Sequence, residues 1–78
     1  MEIVKEIVTK TYRENSVLID TVKQYHYDSE EERESHLEEM RKNGYHSNSQ
    51  IKDNIGTTLD PHYVWFGSYF KYETLNRE

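Results

Sequence analysis

Four histidines, His26, His36, His46 and His62, are the first residues in this chain that could do chemistry. Zinc held without cysteine needs imidazole or carboxylate ligands at close quarters. No two of these histidines are near in sequence, and neither His-x-x-x-His nor His-Glu-x-x-His occurs. Surface or interface histidines account for the pattern, and no metal is expected. Asp20, Asp53, Asp60 and Glu73 fall on or beside predicted strands, where nuclease carboxylates often stand, but no two have a recognisable spacing with a lysine. Ser29 reads as a helix cap rather than a nucleophile. The three glycines, Gly44, Gly56 and Gly67, are isolated, so there is no glycine-rich phosphate loop. No catalytic residue and no cofactor is expected, and the chain reads as non-enzymatic.

Binding chemistry has better candidates. The stretch "DSEEERESHLEEMRKNGYHS", residues 28–47, carries Glu30, Glu31, Glu34, Glu38 and Glu39, which cannot all point inward on a helix. Positions 31, 34 and 38 fall near one side, with 35 and 42 beside them. Such a row of carboxylates can imitate phosphate charges and engage a protein's basic groove. The plainer reading is a charged face that keeps the chain in solution. A second candidate is aromatic. "HYVWFGSYFKYE" supplies Tyr63, Trp65 and Tyr69 on one side of a strand. Strand aromatics can stack single-stranded bases, but a positive groove must accompany them. Only Lys23, Lys52 and Lys71 are placed to help, against a net charge of −5. The expected partner is therefore another protein with a basic surface, anchored by Tyr63, Trp65 and Tyr69, and direct nucleic-acid binding is not expected.

Composition narrows the class further. Seventy-eight residues make one small domain, 1–78. A chain of this size buries only roughly 60–65% of its unfolded surface. Disulfides, a metal or oligomerisation commonly support such folds. Without cysteine, disulfides and thiolate sites are excluded, which suits a reducing cytosol. No apolar run is long enough to span a membrane, and the charged start Met1-Glu-Ile-Val-Lys-Glu is unlike a signal peptide. A cytoplasmic protein is expected. Alanine is absent and tyrosine occurs seven times, a bias toward strand over helix. Charge is uneven: residues 1–27 sum to zero, residues 28–43 to −4 and residues 44–78 to −1.

The elements that must position these residues follow from local pattern. "EIVKEIVTKTYREN" fits either a helical stripe or a strand, and its β-branched content favours a strand over about Glu6 to Arg13. "ENS" reads as a turn, and "VLIDTVKQYHY" as the returning strand of an antiparallel hairpin. Ser29 with Glu32 forms a capping-box pattern. Glu30 to Glu32 suit the positive end of the helix dipole, and Arg41 and Lys42 the negative end. Asn43-Gly44 closes the helix, with Gly44 left-handed and Tyr45 packing back. "SNSQIKDNIG" reads as a polar edge strand, "GTTLDP" as a loop, and "HYVWFGSYFKYE" as a central strand apolar on both faces. Gly67 marks a bulge or a close approach.

The expected fold is α+β: a four-stranded, mostly antiparallel sheet in the order β-β-α-β-β, with one helix packed on one face. The other face would present Tyr25 or Tyr27 with some of Tyr63, Trp65 and Tyr69. An uncovered aromatic face of that size is unusual on a monomer, so a homodimer or a tight complex is expected.

A helix reading "ESHLEEMRKNGYHS", followed by a polar strand, a loop and "YVWFGSYFKYE", resembles small proteins from phages and mobile elements of Gram-positive bacteria over about residues 29–73. Some proteins of that general look inhibit host defence, the anti-CRISPR proteins among them. The resemblance implies an inhibitor or accessory protein that blocks a host nucleic-acid enzyme or defence protein in the host cytosol. It carries over no functional residue, because the class shares no motif. The rival expectation is a small regulatory or nucleic-acid-associated homodimer that uses its aromatic sheet face.

Overall fold

The computed structural model describes residues 1–76. It is α+β, with one helix and an antiparallel sheet among those residues: β1 Glu2–Tyr12, β2 Ser16–Tyr27, α1 Glu30–Lys42, β3 His46–Ser47, β4 Lys52–Asn54 and β5 Tyr63–Asn76. β1 and β2 form the expected hairpin, with Tyr12 opposite Val17. Its turn is closed by the Arg13 N–H donating to the Ser16 carbonyl at 2.8 Å. The first segment is a strand, and it begins at Glu2 rather than Glu6. β2 then pairs with β5 along its whole length, from Ser16 opposite Asn76 to Tyr27 opposite Trp65.

The strand count differs from the expected four. The polar segment after the helix pairs with β5 twice, as β3 opposite Tyr69 and Phe70 and as β4 opposite Tyr63 to Trp65. Between them the edge stays tied by Asn48 N–H to the Ser68 carbonyl and by Phe66 N–H to the Ile51 carbonyl. Residues 48–51 thus span only 66–68 on the partner, and one surplus residue interrupts the ladder as a bulge does. Gly67 sits opposite that interruption. A Cβ there would lie 2.5 Å from the Tyr69 hydroxyl and 3.0 Å from the Tyr27 ring, so the glycine admits the tyrosines beneath the helix.

The helix covers one end of the sheet. Its inward residues Arg33, His36, Leu37 and Met40 recur at helical spacing. They meet a core of Tyr27, Tyr69 and Met40, bordered by Tyr25, Tyr45 and Trp65. This overturns the expectation of an open aromatic face: Tyr25, Tyr27 and Tyr69 lie under α1. Tyrosine suits a core this thin because its ring fills volume while its hydroxyl still finds a partner. Away from α1 the sheet runs on as a bare three-stranded blade. Every residue of β1 is exposed. The radius of gyration is 15.5 Å and the extents are 53 × 27 × 19 Å, against about 11–12 Å expected for a compact domain of this length.

Candidate protein-binding surface

Local rules set the orientation of α1. The Ser29 hydroxyl accepts from the Glu32 N–H at 3.2 Å, the first half of a capping box. The second half is diverted: the Glu32 carboxylate accepts from the Asp28 N–H at 3.4 Å and meets the Met1 amine at 2.7 Å. Those contacts hold the Glu32 carboxyl below its ordinary range, the amine first among the causes. At the other end, Gly44 has φ +87°. The Gly44 N–H donates to the Arg41 carbonyl and the Tyr45 N–H to the Met40 carbonyl, both at 3.0 Å. This pair of bonds is the Schellman arrangement that ends a helix at a left-handed glycine.

With both ends fixed, the inward face is fully used. Arg33 is buried, and its Nε–H donates to the Phe66 carbonyl at 2.6 Å. The Tyr27 hydroxyl lies 2.5 Å from His36 Nδ1 and 2.8 Å from the Tyr69 hydroxyl. Burial lowers the pKa of His36 and raises that of Tyr27, so both are held neutral. Among the described residues no buried side-chain nitrogen or oxygen lacks a partner. The outward face holds the carboxylates. Glu30, Glu31, Glu34, Glu38 and Glu39 are all exposed, and four of them border a shallow depression with Ser35. Only Glu34 approaches a cation on its own element, Arg33 at 3.6 Å.

The aromatic candidates separate. Tyr63 is 61% exposed and Tyr69 is 1% exposed. Tyr69 is therefore a core residue and not a surface anchor. Trp65 is half-buried, with the Lys52 ammonium 4.6 Å from its ring centroid. The structure thus brings Glu30, Glu31, Glu34 and Glu38 around one depression, leaves Glu39 exposed elsewhere on the helix, and divides the three aromatics between core and rim.

The lysines weighed for phosphate contact are occupied by the fold. Lys23 and Lys71 both approach the Tyr45 ring, at 5.6 and 5.3 Å. Lys71 also donates to the Asn43 carbonyl at 3.0 Å, where the helix dipole favours a cation. The histidines are scattered: His36 in the core, His26 against Asp53 at 2.9 Å, His46 stacked on Phe70, and His62 in the β4–β5 loop. Among the described residues no three His, Asp or Glu stand together as a metal site would need. No described helix is long and apolar enough to cross a membrane.

Two surface features escaped sequence reasoning. One is Leu59, 98% exposed at the tip of the β4–β5 loop. That loop is tied by the Asn54 carboxamide oxygen, which accepts from the Gly56 and His62 N–H groups at 2.9 Å each. The "TTLD" pattern signals a turn, and nothing in it signals an apolar tip. The other is the outer edge of β1, visible only once strand order is known. Compared with models of protein families, with curated proteins and with solved structures, the chain matches none.

Proposed function

We propose that this chain is a non-enzymatic binding module that occupies a basic site on another protein with the outward face of α1. The observation that carries the reading is the division of labour on that helix. Arg33, His36, Leu37 and Met40 supply the packing against the sheet, while Glu30, Glu31, Glu34, Glu38 and Glu39 are exposed and take no part in the core. Carboxylates one helical turn apart present negative charge to a basic groove as a nucleic-acid backbone does. A site that normally holds nucleic acid, in a host enzyme or defence protein, is the kind of target such a face fits. The role is that of a small cytosolic inhibitor or accessory protein, of the sort phages and mobile elements encode. Tyr63 is the exposed aromatic that can join the contact, and Trp65 contributes its uncovered edge.

The triple variant Glu31→Lys, Glu34→Lys, Glu38→Lys tests this. All three side chains project to solvent, so the far-UV circular dichroism and the unfolding midpoint should stay close to those of the parent. Inhibition of a nucleic-acid enzyme that the parent inhibits should be lost, and in the parent it should weaken as salt rises. Inhibition that survives the reversal would mean that the acidic face only solvates the helix.

A further inference from the structure

The outer edge of β1 is the least explained part of the molecule. β1 lies at the end of the strand order, and among the described residues no strand pairs with its outer side. It is long, eleven residues from Glu2 to Tyr12, and exposed throughout. Ile3, Val4, Ile7 and Val8 are 40–51% exposed on it. An open edge of this length is a template for a further strand. Natural edges are commonly blunted by proline, by charged side chains, by a bulge or by a covering element. Between the irregularity at Ile3/Lys5 and the hairpin turn, β1 has no proline and, among the described residues, no covering element, and its charges are Lys5, Glu6 and Lys10.

The charges on that regular stretch identify the strand that fits. Side chains on one face include Glu6, Val8 and Lys10, opposite Lys23, Thr21 and Ile19 of β2. The other face carries Lys5, Ile7, Thr9 and Thr11. Two antiparallel copies of β1, related by a two-fold axis normal to the sheet, keep each face with its like, so paired residues share parity. Centring the axis on Val8 sets Glu6 opposite Lys10 twice, Val8 opposite Val8, Ile7 opposite Thr9 and Lys5 opposite Thr11. Moving the centre to Glu6 or Lys10 sets like charges opposite, and centring on Ile7 or Thr9 leaves Glu6 and Lys10 unmatched. Opposite charges in directly facing positions stabilise a sheet pair, and like charges destabilise it. The Val8 register also pairs every residue from Lys5 to Thr11, nearly all of the regular stretch Lys5–Tyr12.

We propose that β1 is the dimerisation strand: two copies pair edge to edge about Val8 into one continuous sheet, β5-β2-β1-β1-β2-β5. On the helix-bearing face, each Glu6 then lies between Lys23 of its own chain and Lys10 of the other. The two helices stand on the same face at opposite ends, with their acidic surfaces outward. The pairing is independent of the role proposed for α1, because its test leaves every residue of that helix unchanged.

The test combines mass in solution with a charge swap and a crosslink on the full-length chain. Light scattering behind a sizing column should give twice 9.5 kDa for the parent. Glu6→Lys and Lys10→Glu should each weaken the dimer by about tenfold or more, and the double variant should recover it, since both facing pairs are then restored with reversed sign. The chain has no cysteine, so Val8→Cys introduces a single thiol. Facing residues in an antiparallel pair have Cα atoms about 4.5–5.5 Å apart in either hydrogen-bonding phase, within reach of a disulfide. Mild oxidation should convert Val8→Cys to covalent dimer, and the control Thr11→Cys, whose facing residue is Lys5, should stay largely uncrosslinked. Circular dichroism of each variant separates lost pairing from lost folding. A monomeric parent overturns the proposal. So does a dimer indifferent to the charge swaps, or one in which Thr11→Cys crosslinks as readily as Val8→Cys, as a face-to-face sandwich of blades would allow.

Discussion

Beneath α1, β2 and β5 bring Tyr25, Tyr27, Trp65 and Tyr69 against Leu37 and Met40, and the polar tips are tied through His36. Further along the same two strands, Leu18, Ile19, Tyr72 and Leu75 belong to a sheet with no described element over either side, and Tyr72 and Leu75 are 69% and 55% exposed. The backbone ladder is continuous through both regions, and the apolar content is similar. What differs is a third layer. Hydrogen bonds along a ladder contribute little net stability each, because water serves the unfolded chain almost as well. Burial supplies the driving force, and only the covered end has it within one chain. Within one chain the blade therefore depends on its connection to the covered end.

The largest break in this contrast is Met40→Ala. Met40 is 6% exposed at the centre of the helix–sheet contact. Truncating such a residue costs about 2–5 kcal/mol, against a total of roughly 4–12 kcal/mol for a domain of this length. Urea unfolding should show a large drop or no cooperative transition, with the helix signal lost first. Retention of parental stability would mean that α1 does not hold the sheet.

A smaller effect sharpens the comparison by pH. Burial depresses the pKa of His36 below its ordinary value of 6.5. The neutral ring belongs to the folded state, so its contribution is complete above that ordinary value. It is lost as pH falls through it, and levels off below the folded pKa. Unfolding measured from about pH 7.5 down to about pH 5 should show falling stability, and His36→Gln should flatten that part of the profile. Hydrogen exchange should report the loss first in β2 and β5 beneath the helix. A slope unchanged in His36→Gln would assign the dependence to other groups.

The smallest effect is expected on the blade. Val8 is 51% exposed, so Val8→Thr should change single-chain stability by no more than about 0.5 kcal/mol. In the same experiment at rising protein concentration, the parent should gain stability by mass action and Val8→Thr should gain less. A concentration-independent midpoint in both would leave the blade supported by its own chain alone.

Much of this architecture was legible in local sequence because local chemistry decides it. Ser29, the three glutamates after it, and Asn43-Gly44 bracket a helix whose ends obey capping and dipole rules without reference to the rest of the chain. The opening segment fits a helical stripe as well, and its β-branched content with the "ENS" turn only favours a hairpin, while the exposed carboxylates follow from helical periodicity. The broken edge strand was not legible, since a one-residue surplus opposite Gly67 arises from how two separate segments meet β5.

By itself, then, the sequence determined the helix with its boundaries and the row of outward carboxylates, and it favoured strands on either side. Tertiary structure alone decided which sheet face α1 would cover. Both faces of β5 are aromatic, and the choice rests on side chains distant in sequence. Gly67 leaves room on one face for Tyr27 and Tyr69, whose hydroxyls meet each other and His36. That choice moved Tyr69 from the surface to the core. It also left the outer edge of β1 open, because a single short helix cannot cover the hairpin as well.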